Sequence, residues 1–195
     1  MDKTFCVFGD SVTQAAYIKT GWVDLLRNFL EEKYPDDSVN VFNLGIGGNT
    51  SSDIVNRFKP ESAARNPTDI VFAFGVNDSG YFRTLDKPIV QLEEFVTNVQ
   101  TLITQAKEFT QNITFIGLTL GNDSILKPFP GSSRGKSYDA SRVKKYDETL
   151  KEIVEKNSCR FISLANILVA EDFMDGLHPN DKGHSKMFTE IKKFY

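Results

Sequence analysis

The sequence predicts an α/β protein, a three-layer α/β/α sandwich of flavodoxin-like type. Two observations carry this. Five short strand-like runs, Thr4–Phe8, Val39–Leu44, Asp69–Phe74, Ile113–Leu118 and Arg160–Leu164, alternate with stretches whose apolar residues recur at helical spacing. Strict strand–helix alternation argues for a parallel sheet with right-handed crossovers. Clusters of Gly, Asn, Asp and Ser also follow the first three runs. In such a fold they open on one edge of the sheet, the edge where ligands of open α/β sheets bind.

Each element has its own signal. Thr4–Phe8 is nearly continuously apolar, as expected of a strand covered on both faces. Trp22, Leu25, Leu26, Phe29 and Leu30 form the apolar stripe of a helix, ended by Tyr34-Pro35-Asp36-Asp37. Ser51–Phe58 reads as a short helix stopped by Pro60. Ile89, Leu92, Val96, Val99, Ile103 and Ala106 mark a long helix, and Val143, Tyr146, Leu150 and Ile153 another. The last helix runs through Met187, Phe188 and Ile191. Between them, Leu120–Lys136 is rich in Gly, Pro and Ser and reads as a long loop, a kind that is often functional.

The 195 residues suit one domain spanning 1–195, with 40% hydrophobic residues. With 23 basic and 26 acidic residues, the formal charge of −3 leaves no basic footprint for nucleic acid and no polybasic patch for a membrane. No run approaches the length of a membrane span, so no stable membrane insertion is expected. Cys6 and Cys159 lie in apolar strand-like runs and read as buried, reduced thiols rather than a disulfide. With no long apolar leader after Met1, this suggests a cytoplasmic protein. Oligomeric state is unspecified by the sequence.

Four motifs stand in order at strand ends or in the terminal loop. They are Gly9-Asp10-Ser11, Gly47-Gly48-Asn49, Gly75-Val76-Asn77-Asp78 and Asp175-Gly176-Leu177-His178. Together they strongly resemble the SGNH, or GDSL-type, esterase and lipase family, over nearly the whole chain from Phe5 to His184. Val12 replaces the family's usual leucine, a mild departure that touches no chemistry. The resemblance implies a five-stranded parallel sheet of order 2-1-3-4-5 and a serine hydrolase cleaving a carboxylic ester. It implies Ser11 as nucleophile, His178 as base and Asp175 as the group that orients the base. It implies an oxyanion hole formed by the backbone N–H groups of Ser11 and Gly48 and the side-chain amide of Asn77.

The chemistry needs these residue types. A serine hydroxyl is a poor nucleophile without a neighbouring base. A carboxylate fixes the imidazole tautomer and stabilises the imidazolium. Attack on an ester creates an oxyanion that needs preorganised donors. The Ser…Asp…His order also occurs in α/β-hydrolases, but their nucleophile sits in G-x-S-x-G, and Gly9-Asp10-Ser11-Val12-Thr13 lacks the second glycine.

Singly, each motif has a plainer reading. Gly9-Asp10-Ser11 is an ordinary turn composition, with Asp10 capping or bracing it. Gly47-Gly48-Asn49 suits a βα loop, and Asn77-Asp78 a helix cap or Asx-turn. His178 suits a surface histidine before a proline. His184, inside the last helix, reads as a packing or surface residue, and no third ligand joins it and His178 in a metal site. At the level of function, the alternative is a non-catalytic ligand-binding module on the same scaffold. A phosphate or flavin binder is disfavoured because neither G-x-G-x-x-G nor a P-loop occurs.

The expected partner is a small-molecule ester, with no cofactor and no metal. The family acts on lipid and lysophospholipid, aryl, thioester and acetylated-sugar substrates, and the absence of an amphipathic lid favours small soluble esters. Specificity is expected from Ser79–Pro88 and Leu120–Lys136. The second offers Phe129 to an acyl chain, or Lys127, Arg134 and Lys136 to an anionic group, unless it is simply a solvated loop.

Overall fold

The computed structural model describes residues 2–82, 85–119, 121 and 123–195. Arg83 and Thr84, within the expected loop 79–88, and Leu120 and Asn122, within the expected loop 120–136, lie outside the described residues. The central sheet comprises β1 (Lys3–Gly9), β2 (Val39–Gly45), β3 (Asp69–Ala73), β4 (Ile113–Ile116) and β5 (Arg160–Ile162). All neighbours pair in parallel, in the order 2-1-3-4-5. The helices are α1 (Ser11–Gln14), α2 (Trp22–Lys33), α3 (Ser51–Ala63), α4 (Val76–Ser79), α5 (Leu92–Ala106), α6 (Ala140–Lys156) and α7 (Asp181–Ile191).

Successive strand residues point to opposite faces, so β1 feeds two separate cores. Phe5 and Val7 join Val71, Ile116 and Ile162 against Trp22, Leu26 and Leu30 of α2 and Met187 and Ile191 of α7. Cys6 and Phe8 join Ile70, Phe72 and Phe115 against α3, α5 and α6. This second core is built on aromatic rings. The register sets Phe8 beside Phe72 and Phe72 beside Phe115. Phe72 and Phe115 stack at 4.7 Å, and Phe58 closes on Phe8 at 5.0 Å. Each such pair contributes about 0.5–1.5 kcal/mol beyond its buried area. Two apolar faces explain why β1 and β3 read as continuous rather than alternating runs.

Some sequence boundaries are corrected. Pro60 does not stop α3; the helix continues to Ala63 with Pro60 inside it. A proline removes one backbone bond, but Phe58 and Ser62, on either side of it, are both fully buried. Their packing keeps the last turn helical. The fourth and fifth strands end at Ile116 and Ile162, two residues short of the expected limits. Cys159 precedes β5 rather than lying in it, and is half-buried; both cysteines are free thiols.

The two expected loops also carry structure. Tyr81–Phe82 pairs antiparallel with Lys87–Pro88 on one side and with Lys136–Ser137 on the other, a second, three-stranded sheet. It ties the segment after α4 to the segment before α6.

Candidate active site

The site is assembled at the C-terminal ends of β1, β2 and β3. Ser11 opens α1, a single helical turn beginning directly after β1. Asp10 caps that turn: its Oδ1 accepts from the N–H of Val12 at 2.9 Å. Gly9 is required for close packing, since a Cβ there would lie 2.1 Å from Thr13 Oγ1 and 2.5 Å from the carbonyl oxygen of Ala73. The turn is thereby held against β3.

His178 comes from the turn before α7. Its Nε2 lies 2.9 Å from Ser11 Oγ, and its Nδ1 lies 2.7 Å from Asp175 Oδ2. Facing a carboxylate, Nδ1 carries the proton, which leaves Nε2 to accept from the serine hydroxyl. The other oxygen of Asp175 accepts from the N–H groups of Leu177 and His178 at 3.0 and 2.8 Å. Burial pushes the Asp175 carboxyl up, but its hydrogen bonds from His178 and these two N–H groups outweigh that and hold it below its ordinary value. Tyr17 packs on the His178 ring at 4.9 Å, and Phe129 meets it edge-on at 5.9 Å.

Asn77 and Gly48 lie on the segments beside the turn that carries Ser11. Asn77, in α4, donates from Nδ2 to the carbonyl oxygen of Asn49 at 3.0 Å, and the same nitrogen lies 3.4 Å from Asp10 Oδ2. Its amide is therefore set between the turn carrying Ser11 and the loop carrying Gly48. Gly48 has φ +82°, a backbone conformation that favours glycine, and no protein atom lies within 4 Å of a Cβ built there. The neighbouring Gly47 N–H is pinned by Gln14 Oε1 at 2.9 Å, which fixes this loop against α1. Arg57 braces it from below, bonding Asn49 Oδ1 at 2.9 Å and the carbonyl oxygen of Leu44 at 2.7 Å.

Two carboxylates lie beneath the site. Burial pushes Asp10 up to about 6, opposed by its bond from Val12 and by the charges of His178 and Lys136. Burial likewise pushes Asp78 up to about 6, opposed by its bonds from Ser51. Asp78 spans the N-terminus of α3 through the N–H of Ser51 at 2.9 and 3.1 Å. Among the described residues, no three His, Cys, Asp or Glu side chains converge to hold a metal ion. No helix among them is long and apolar enough to cross a membrane.

Comparison with known proteins decides the family. A model of the GDSL-like lipase/acylhydrolase family matches residues 7–186. The chain belongs to that family. It is 25% identical to an acetylxylan esterase of Geobacillus stearothermophilus, over 90% of this chain and 86% of that one. It is 34% identical to an isoamyl acetate-hydrolyzing esterase 1 homolog of Bos taurus, over 50% of this chain and 39% of that one. Solved structures of the Geobacillus acetylxylan esterase include catalytic mutants at a serine, a histidine and an aspartate. They share the fold with TM-scores of 0.76–0.77 at 21% identity, over 98% of this chain and 93% of theirs. The protein is a carboxylic ester hydrolase of this GDSL-type family.

Several residues around the site carried no recognisable signal in the sequence. Tyr17 sits in an irregular segment, and nothing local marks it as a neighbour of His178; Phe129 was expected to meet an acyl chain rather than the His178 ring. Arg57 looked like any helical arginine. The basic residues offered above to an anionic group have protein partners, and that of Lys136 is a candidate site residue. Lys127 pairs with Asp123 and Asp139, Arg134 lies over the Phe82 ring, and Lys136 bonds Asn77.

Proposed function

We propose that this hydrolase works through a Ser11–His178–Asp175 triad and an acyl-enzyme intermediate. One observation carries the reading: the hydrogen-bonded relay from Ser11 Oγ to His178 Nε2, at 2.9 Å, and from His178 Nδ1 to Asp175 Oδ2, at 2.7 Å. The catalytic mutants of the acetylxylan esterase support it. Their aspartate and histidine stand three residues apart, as Asp175 and His178 do.

In the first half-reaction Ser11 Oγ attacks the ester carbonyl carbon while its proton passes to His178 Nε2. The carbonyl π electrons move onto oxygen, and that oxyanion is met by the N–H groups of Ser11 and Gly48 and by the Asn77 Nδ2 hydrogen that otherwise faces Asp10 Oδ2. The intermediate collapses, the C–O bond to the alcohol breaks, and His178 returns the proton to the leaving alkoxide. Water then attacks the acyl-enzyme, losing its proton to His178; the Ser11 Oγ–acyl bond breaks, the acid leaves, and His178 returns the proton to Ser11 Oγ. Asp175 holds the imidazole in the required tautomer and stabilises the imidazolium. The substrate class is a small ester with a short acyl group, supported by two relatives named for acetyl esters.

The test is turnover of p-nitrophenyl acetate by the wild type and by Ser11→Ala, followed by p-nitrophenyl esters of increasing chain length and by acetylated xylooligosaccharides. Ser11→Ala is expected to lose nearly all turnover, and the acetyl ester to exceed long-chain esters. Wild-type turnover by folded Ser11→Ala would end the serine mechanism. Faster cleavage of long chains would end the short-acyl reading.

A further inference from the structure

The amide oxygen of Asn77 is engaged from outside the serine and glycine loops. Lys136 Nζ donates to Oδ1 at 2.7 Å and Tyr138 Oη at 3.0 Å. An ammonium can only donate, so the atom facing Lys136 must be the oxygen, and the NH2 group is turned toward Asp10 and Asn49. A charge-assisted bond to the amide oxygen also polarises the N–H groups on the far side.

The second sheet delivers both donors. Lys136 and Ser137 pair with Phe82 and Tyr81, which follow directly from α4, the helix that carries Asn77. The Lys136 carbonyl oxygen accepts from Phe129 N–H at 2.8 Å, so the same segment also sets the aromatic ring at His178. The Lys136 ammonium lies 5.0 Å from the centre of the Tyr138 ring, and the charges of Asp10, after β1, and Asp78, in α4, act on it. Two buried carboxylates oppose a nearby oxyanion, and Lys136 is the cation set against them.

We propose that Lys136, aided by Tyr138, is a positioning residue for the reaction: it fixes and polarises the Asn77 amide as an oxyanion donor without touching the substrate. The inference rests on the reading of Asn77 as an oxyanion donor. It gives the segment before α6 a hold on turnover that differs from shaping a substrate pocket.

A double-mutant cycle on p-nitrophenyl acetate hydrolysis tests it, using Lys136→Met, Asn77→Ala and the pair, each checked for folding by circular dichroism. Lys136→Met is expected to lower kcat by about ten- to thirtyfold, less than loss of a donor itself, with KM nearly unchanged. In the Asn77→Ala background it should lower kcat no further. The pH profile supplies a readout that a merely structural role would not move. Burial pushes Lys136 down to about 8, with Asp10 and Asp78 opposing. Wild-type kcat should therefore fall as pH rises through about 8, and this alkaline limb should be absent in Lys136→Met. If Lys136→Met fails to fold, Tyr138→Phe, which deletes one hydroxyl donor, should still lower kcat several-fold and lose that effect without Asn77. A wild-type kcat in folded Lys136→Met, an effect on KM alone, or full additivity with Asn77→Ala would overturn the proposal. Wild-type turnover by Asn77→Ala would instead overturn the oxyanion reading on which it rests.

Discussion

His178 and His184 lie six residues apart and share Tyr17 as a neighbour, yet the turn and the helix that carry them give the two imidazoles opposite hydrogen-bond partners. Tyr17 packs on His178 at 4.9 Å and on His184 at 5.9 Å. In the turn, the Nδ1 of His178 faces the Asp175 carboxylate, so Nε2 is left to accept from Ser11. In α7, the Nδ1 of His184 accepts from the backbone N–H of Trp22 at 3.2 Å, so its Nε2 carries the proton and donates to Tyr17 Oη at 3.0 Å. His184 is fully buried, and burial pushes it down to about 4, with Asp181 and Asp24 opposing. A histidine given a carboxylate can take up and return a proton. One given only a backbone N–H and a phenol is held neutral and serves packing. The partner on Nδ1, more than position in the chain, separates the two roles.

The largest expected effect breaks the comparison outright. His178→Ala should lower p-nitrophenyl acetate turnover by about four to six orders of magnitude, whereas His184→Gln should leave it within about tenfold. Comparable losses from both would mean that the neutral, buried histidine takes part in the chemistry. Next, Asp175→Ala should retain about one to two orders of magnitude more activity than His178→Ala. The imidazole keeps its place beside Ser11 and loses only its orienting partner. A variant as dead as His178→Ala would show that Asp175 does more than orient.

Asn77→Ala should cost about a hundred- to a thousandfold in turnover with the fold intact. The interest of this variant is that it leaves both histidines untouched, so it separates proton transfer from stabilisation of the oxyanion. Near wild-type turnover would remove Asn77 from the mechanism.

The smallest effect is on stability, and it sharpens the role of His184. Its folded value is lowered from 6.5 to about 4, so the neutral form contributes stability that is whole above pH 6.5 and is lost as pH falls toward 4. The melting temperature of the wild type should therefore fall more steeply than that of His184→Gln between pH 6.5 and 4. Parallel curves across that window would contradict the assignment.

How much of this was legible in the sequence follows from where the information lies. The five strands were readable because both sheet faces are covered, which made β1 and β3 visible as apolar runs. The site candidates were readable because four motifs together resemble one family; three follow strands of the sheet, and Asp175–His178 lies in the loop before α7. The end of α3 was misread because Pro60 is a local signal and the burial of Phe58 and Ser62 is a tertiary one. The pairing of Tyr81–Phe82 with Lys136–Ser137 joins segments more than fifty residues apart, each only two residues long, and such strands have no periodicity to read. Lys136 could be noticed as a basic loop residue, but its partner Asn77 was beyond reach for the same reason. His184 and His178 look alike in the chain, and only the atoms facing each Nδ1 tell them apart.

The central claim is that Ser11 is the nucleophile and that His178, rather than His184, activates it. The most direct measurement is the rate and site of labelling by a fluorophosphonate probe, read by intact mass and peptide mapping in the wild type, Ser11→Ala, His178→Ala and His184→Gln. The account predicts a single adduct on Ser11, none in Ser11→Ala, labelling slowed by orders of magnitude in His178→Ala, and a near wild-type rate in His184→Gln. An adduct on another residue, or labelling that slows with loss of His184 and not of His178, would contradict it.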